Sequence, residues 1–355
     1  VSAPARRPTL RDVAARAGVS TSTASLVFSG KGPVAAATAD RVRTAAAELA
    51  FSGPDPLATS LRQGRVGTVA VIVEAPLREA FRDPFALAVL DGLADELEAA
   101  DRTMLLVAQP ADDPVRAVGQ LSGQAVDAVV FPLCGVRDNP VVEHLAARGV
   151  PLVGSGSPDA PGVAHVRTDE EAAIGLTTRH VLGLGHTRLA HVSMALAPGS
   201  RTRPLRPGDL DAARYPDSSG RLRGFRALAG EAAPVVVTAD LTVGSGEEAG
   251  RLLLDVPAGR RPTAVVCQSD LLAAGVVRAA WALGLRVPED VSVTGFDGVE
   301  LPWLDATLTT VLQPGVEKGH ALGRLVRRAL DGEPVDDIGF PVSLRVGTTT
   351  APPPA

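Results

Sequence analysis

Apolar positions along the first 52 residues recur at helical spacing, whereas from Val66 onward short β-branched runs alternate with amphipathic segments. Leu10, Val13, Ala14 and Ala17 share one helix face. Thr9 stands where a cap is needed, and Asp12, three residues on, favours the positive end of the helix. Gly18 ends this helix, Val19 fills the corner, and Ser20 caps a second helix beginning at Thr21. This is the pattern of a helix-turn-helix, with a small helical hairpin capping another domain as the plainer alternative. Residues 53–65 form a connector in which Asp55 is a good N-cap and Pro56 suits the first helical position.

Strands are predicted at Thr68–Val73, Met104–Val107, Ala128–Pro132, Pro151–Gly154, Leu189–Val192, Val235–Thr238, Ala264–Cys267 and Val291–Gly295. Helical segments such as Phe85–Ala100, Glu170–Leu184 and Leu271–Leu283 separate them, which predicts βαβ units and mostly parallel sheet. That many strands exceed one ordinary doubly wound sheet, so two lobes are expected. Ala195–Ser219, rich in Pro, Gly, Arg and Asp, fits no period and is read as a long loop.

Charge separates the two zones further. Residues 1–65 carry nine Arg/Lys against four acids, while the remainder carries 26 against 36, so a basic head joins an acidic body. Only the head is suited to a polyanion. Thr21, Ser22 and Ser25 then project from the start of the second helix, where base edges are read. Cys134 and Cys267 lie in apolar runs and are read as buried free thiols of a reducing cytoplasm. Val1–Ala17 contains Arg6, Arg7, Arg11 and Asp12 with no apolar core of an export signal, and no membrane span is expected. A solute-binding or sugar-binding protein without DNA function would share such a body but have no use for Ser20–Leu26. No phosphate loop, nucleophile elbow or Gly-x-Gly-x-x-Gly is present, and the six histidines form no zinc-like cluster. No catalytic residue, metal or cofactor is expected.

Polar residues follow several strands, where parallel sheets bind ligands. Asp297 follows Val291–Phe296, Ser269 and Asp270 follow Val265–Gln268, and Asp169 follows Val166–Thr168. Arg221 opens the helix that contains Gly224 and Phe225, with a solvated surface charge as its alternative. Carboxylates and a guanidinium converging on a cleft suit a hydroxyl-rich ligand. Asp169 and Asp270 have capping of the helices they precede as their alternative, and for Asp270 the two readings weigh alike.

Thr9 to Ser20, in the order Thr-Leu-Arg-Asp-Val-Ala-Ala-Arg-Ala-Gly-Val-Ser, closely resembles the opening of LacI/GalR-family transcriptional regulators, and Thr23-Ala24-Ser25 stands where the family usually has Thr-Val-Ser. Leu182–His186, Arg221–Phe225, Pro262–Ala264, Val287–Val293, Gly295–Asp297, Leu308–Val311 and Gln313 continue the likeness through the body. Two departures stand out: Leu26 replaces a common Arg, and Ala35 replaces the Ser that commonly caps the third helix. The resemblance implies an N-terminal all-α helix-turn-helix domain (1–52), a hinge helix (53–65) and an α/β, two-lobed, periplasmic-binding-protein-like (type I) ligand-sensing domain (66–355). Its chain crossings are expected near Gly185, Gln313 and Pro334, giving one lobe of about 66–185 with 314–333 and another of about 186–313 with 334–355. It also implies a homodimer on a near-palindromic double-stranded operator, released or recruited by a small effector, a sugar or sugar derivative. DNA contacts carried by position are Thr9, Ser20, Thr21, Ser22, Thr23, Ser25, Leu26, Ala58 and Leu61, the last as a minor-groove wedge. Effector contacts so carried are Asp83, Phe85, Asp169, Arg221, Ser269, Asp270, Asp297 and Gln313, with Phe85 and Trp303 as candidate sugar-stacking rings.

Overall fold

The computed structural model describes residues 8–30, 32–53, 64–110, 113, 115–133 and 135–354. Asp55, Pro56, Ala58, Leu61 and Cys134 lie outside them. The chain divides into two compact units, residues 1–66 and 67–355.

The first unit holds α1 (Leu10–Ala17), α2 (Thr21–Ser29) and α3 (Ala36–Glu48). Thr9 and Asp12 cap α1 reciprocally, each side chain accepting a backbone N–H of the other. Gly18, at φ +65°, turns the chain into Ser20, whose hydroxyl accepts from Thr23 N at 3.1 Å. Val13, Ala14, Ala24, Val42, Ala45 and Ala46 form the small core, with Phe28 edge-on to Phe51 at 5.4 Å. As Ala35 predicts, α3 begins without a side-chain cap.

In the second unit, strands and helices alternate as β1 (Thr68–Val73), α4 (Leu77–Ala80), α5 (Pro84–Ala99), β2 (Thr103–Ala108), α6 (Arg116–Ser122), β3 (Ala128–Phe131), α7 (Pro140–Ala146), β4 (Leu152–Gly154) and β5 (Val163–Arg167). There follow α8 (Glu170–Gly183), β6 (Leu189–Ser193), β7 (Arg203–Pro204), α9 (Pro216–Ala229), β8 (Val235–Val237), α10 (Val243–Leu254), β9 (Ala264–Cys267), α11 (Asp270–Ala282) and β10 (Ser292–Asp297). The last elements are β11 (Thr309–Leu312), α12 (Gly315–Leu330), β12 (Ile338–Gly339) and β13 (Ser343–Arg345). One sheet runs β12-β5-β4-β3-β1-β2, parallel throughout; the other runs β13-β11-β10-β9-β6-β8-β7, with antiparallel edges at β13 and β7.

Strand alternation decides which helices cover which face. On β1, Val69 and Val71 meet α5 and α12, while Ala70 and Ile72 meet α6 and α7. In the second lobe, Val265 and Val293 face α10 and α11, while Ala264, Val266 and Phe296 face α8 and α9.

Two crossings differ from the expected places. Ala173, Ile174 and Val181 of α8 join the core that holds Leu222, Phe225 and Val311, so the chain leaves the first lobe after β5, at 168–169, and not near Gly185. Ile338 and Gly339 still pair with β5, and Ser343 already pairs with β11, so the last crossing falls at 340–342 instead of Pro334. In both cases burial of an apolar face or completion of a sheet edge overrode the local signal. The loop read at 195–219 also ends early. Pro216, in the first turn of α9, starts that helix, which places Arg221 in its second turn instead of at its opening.

Backbones approach closely where glycine permits it. A Cβ on Gly319 would lie 2.2 Å from the Val89 carbonyl oxygen, and one on Gly92 would lie 2.0 Å from that of Val316. Gly319→Ala is therefore expected to destabilise the protein by about 1–3 kcal/mol, because the obstructing atom is backbone. Gly119→Ala in α6 meets nothing within 4 Å and should be neutral or stabilising by up to about 1 kcal/mol. Urea midpoints of the two variants measured side by side check the contrast.

Candidate functional site

The head presents α2 outward. Ala24 is buried, Val27 and Phe28 face the small core, and Thr21, Ser22, Leu26 and Ser29 are exposed, with Ser25 half-buried. Thr9 and Ser20 serve as caps, and the Ser20 hydroxyl lies 2.8 Å from both the Ser22 and Thr23 hydroxyls. Thr9, Ser20 and Thr23 thus shape the turn, while Thr21, Ser22, Ser25 and Leu26 form its outer surface. Ala58 and Leu61 fall outside the described residues.

In the body, a cleft of about 260 Å³ lies between the lobes at the carboxyl ends of both sheets, near the lower end of the roughly 300–1,000 Å³ usual for small-molecule sites. The first lobe contributes Glu74, Asp83, Phe85, Ser155 and Lys318; the second contributes Tyr215, Asp217, Arg221, Asp297 and Gln313.

Arg221 is 3% exposed. Its Nε donates to Glu170 Oε2 at 2.6 Å, its Nη1 to the Gln268 carbonyl at 2.7 Å, and its guanidinium carbon lies 3.6 Å from the Phe296 ring centre. These partners hold a charge that burial alone would not tolerate. Gln268 extends the scaffold by accepting from Met194 N at 3.1 Å and donating to the Ser218 carbonyl at 3.0 Å. Its amide nitrogen also lies 2.9 Å from His191 Nε2. Burial holds His191 far down, at about 3, so the ring is neutral.

Asp297 ends β10 at φ +108°, a conformation few side chains adopt, and Gly298 follows at φ +78°. Together they swing the carboxyl into the cleft, where Gln313 Nε2 donates to Oδ1 at 3.0 Å and Lys318 Nζ donates to Gln313 Oε1 at 3.4 Å. Burial pushes the Asp297 carboxyl well up, and the Arg221 charge opposes that rise. Beneath it, burial pushes Asp270 up to about 7, while its Oδ2 accepts from Val299 N at 2.8 Å.

Of the expected contacts, Asp83, Phe85, Arg221, Asp297 and Gln313 line the cleft. Asp83 also caps α5, with Phe85 N donating at 2.9 Å. Asp169, Ser269 and Asp270 are not among the lining residues. Exposed Asp169 caps α8 by accepting from Ala172 N, and Ser269 caps α11 by accepting from Leu272 N. Trp303 is exposed away from the cleft, whereas Phe85 lies 5.9 Å beneath Lys318 Nζ. Glu170, one position beyond Asp169, supplies the carboxylate that meets Arg221.

Glu74 was missed, although it follows β1 directly and the strand-end rule would have marked it. Its Oε2 accepts from Val136 N at 2.9 Å, and burial pushes its carboxyl up to about 7. Tyr215 arrives by a route that periodicity cannot reveal. Arg214 N and Tyr215 N both donate to the Leu196 carbonyl, and Arg137 N of the first lobe donates to the Arg214 carbonyl at 2.9 Å. The long loop is thereby fastened across the cleft mouth. Among the described residues no cluster could hold a metal ion, and no helix is long and apolar enough to cross a membrane.

Residues 9–53 match the model of bacterial regulatory proteins of the lacI family, and residues 178–350 match the periplasmic binding protein-like domain. An HTH-type transcriptional regulator of Mycobacterium tuberculosis is 32% identical, covering 99% of each chain. The solved complex of the transcriptional regulator CelR with cellobiose is 29% identical at a TM-score of 0.66, covering 97% of this chain and 100% of that one. A lac repressor dimer bound to operator and an anti-inducer is 24% identical at a TM-score of 0.76, covering 98% and 100%, a likeness of fold. With a helix-turn-helix head, a two-lobed body and full-length relatives of the same design, this chain belongs to the lacI family of bacterial transcriptional regulators.

Proposed function

We propose that this regulator is a repressor that binds a near-palindromic operator as a homodimer and changes its DNA affinity when a neutral sugar occupies the cleft. The observation that carries the reading is one chain holding both an outward-facing helix-turn-helix and a cleft whose polar groups come from two lobes. A ligand that touches both lobes favours one lobe arrangement over another, which is what linkage to a separate DNA site requires. The cellobiose complex of CelR supports a sugar as the effector class. By resemblance Leu61 is the minor-groove wedge. A sugar-binding protein without DNA function would leave the head without a use.

The lining favours an uncharged ligand. Glu74, Asp83, Asp217 and Asp297 outnumber Arg221 and Lys318, and both cations already donate to protein oxygens. Footprinting the full chain on DNA upstream of its own gene, with neutral sugars and sugar phosphates added in turn, tests the reading. One neutral sugar should shift operator affinity by about 5–150-fold, and its phosphate ester should act more weakly. A chain with no preferred site and no response to any sugar would refute the proposal.

Asp297→Gly removes the carboxyl yet accepts the positive φ. Loss of the carboxyl's hydrogen bond, worth about 0.5–1.5 kcal/mol, should weaken sugar binding by about 2–12-fold by calorimetry. Operator affinity without sugar should stay unchanged by fluorescence anisotropy.

Asp270 acts as support for the loop at Val299, not as a ligand contact. Folded, it keeps its proton to about pH 7, whereas an unfolded aspartate releases it near 4. Protonation therefore favours the folded form between those values, and the stability it provides is lost as pH rises across them. The wild-type unfolding midpoint should fall as pH rises from about 4 to about 7, and Asp270→Asn should flatten that fall while leaving sugar affinity within about threefold.

A further inference from the structure

The outer face of α2 is chemically narrow. Across Thr21–Ser29 there is no Arg, Lys, Asn, Gln, Asp or Glu, so no side chain there can form a two-point hydrogen bond to a base edge. Its hydroxyls accept or donate to any of several bases and discriminate weakly. One large apolar side chain interrupts them. Leu26 is 38% exposed, on the helix face that Ser22 and Ser29 share.

Leu26 is also seated. A Cβ built on Gly32 would fall 3.1 Å from Leu26 Cδ2, so the isobutyl group leans over a backbone that has no side chain. Ser29 Oγ donates to the Leu26 carbonyl one turn along the helix. The small size of residue 32 thus leaves room for the isobutyl group, which remains 38% exposed.

An apolar group kept exposed on a DNA-reading helix gains only where the duplex offers an apolar surface. On the major-groove edges of unmodified bases, that surface is the C5-methyl of thymine. We propose that Leu26 is a specificity-determining residue of this regulator, selecting a thymine in each operator half-site by covering its methyl group. The inference rests on α2 being the helix that enters the groove. It goes further by naming the base that helix selects and the atom by which it does so.

The test uses the full-length protein and a duplex enriched by it from a random-sequence pool. Each thymine of the enriched half-site is replaced singly by deoxyuridine, which keeps O4 and loses only the methyl. Affinities are read by fluorescence anisotropy at fixed salt for the wild type and for Leu26→Ala. Burial of one methyl corresponds to about a fourfold effect per half-site. One thymine should show that weakening with the wild type, and Leu26→Ala should bind thymine and deoxyuridine there equally. Because the perturbation is made in the DNA, the folding of a variant does not enter the first comparison.

Two results would overturn the assignment: wild-type binding indifferent to every methyl, or Leu26→Ala retaining the same methyl dependence. Enrichment of no duplex at all would instead remove the DNA-binding reading itself, and this inference with it.

Discussion

A guanidinium taken out of water must find acceptors, and the end of the second lobe is arranged around that requirement. Arg221 sits nearly without exposure between Glu170, the Gln268 carbonyl and the face of Phe296. Each partner comes from a different segment, so meeting the demand of one charge ties α8, α9, β10 and the turn after β9 together. Gly224 lets the two helices approach, since a Cβ there would lie 2.4 Å from the Glu171 carbonyl oxygen. The same charge opposes the burial that raises Asp297. Remove the guanidinium, and a buried carboxylate, a carbonyl and an aromatic face all lose their complement at once.

Around this fixed centre the cleft combines rigid and adjustable contributions. Gln313 and Lys318 stand on either side of a crossing, and their hydrogen bond joins the end of β11 to α12. Asp297 adopts a positive φ that few side chains take, and in the loop below it Asp270 accepts from Val299 N. On the far rim, Arg137 of one lobe meets Arg214 of the other through the backbone. Such a rim contact can form or part as the lobes move, whereas the Arg221 cluster lies wholly within one lobe. A ligand spanning both lobes would therefore act on the rim and the crossings, which fits the proposed allosteric role.

Much of the fold was legible because its signals are local. Thr9, Gly18 and Ser20 announce the first helix, the turn and the second helix through capping chemistry alone. Every strand expected from its β-branched run is present, while β5, β7, β11, β12 and β13 escaped. Val163–Arg167 carries a histidine, Thr309–Leu312 opens on two threonines, and the edge pairs are strands only because a neighbour is there to bond them. At the cleft, Asp297 and Arg221 were visible as a strand-end carboxylate and a charged landmark. Glu74 shared the first signal and was overlooked.

The amino-acid sequence by itself determined the kind and order of most elements, the basic head and the acidic body, since periodicity, caps and charge reside in neighbouring residues. Tertiary structure alone decided which lobe owns α8, where the last crossing falls, and that Glu170 rather than Asp169 meets Arg221. It also decided that Asp270 supports a loop and that Tyr215 reaches the cleft. The physical reason is that side-chain partnership and sheet-edge pairing depend on distances between segments far apart along the chain, and nothing local encodes such distances.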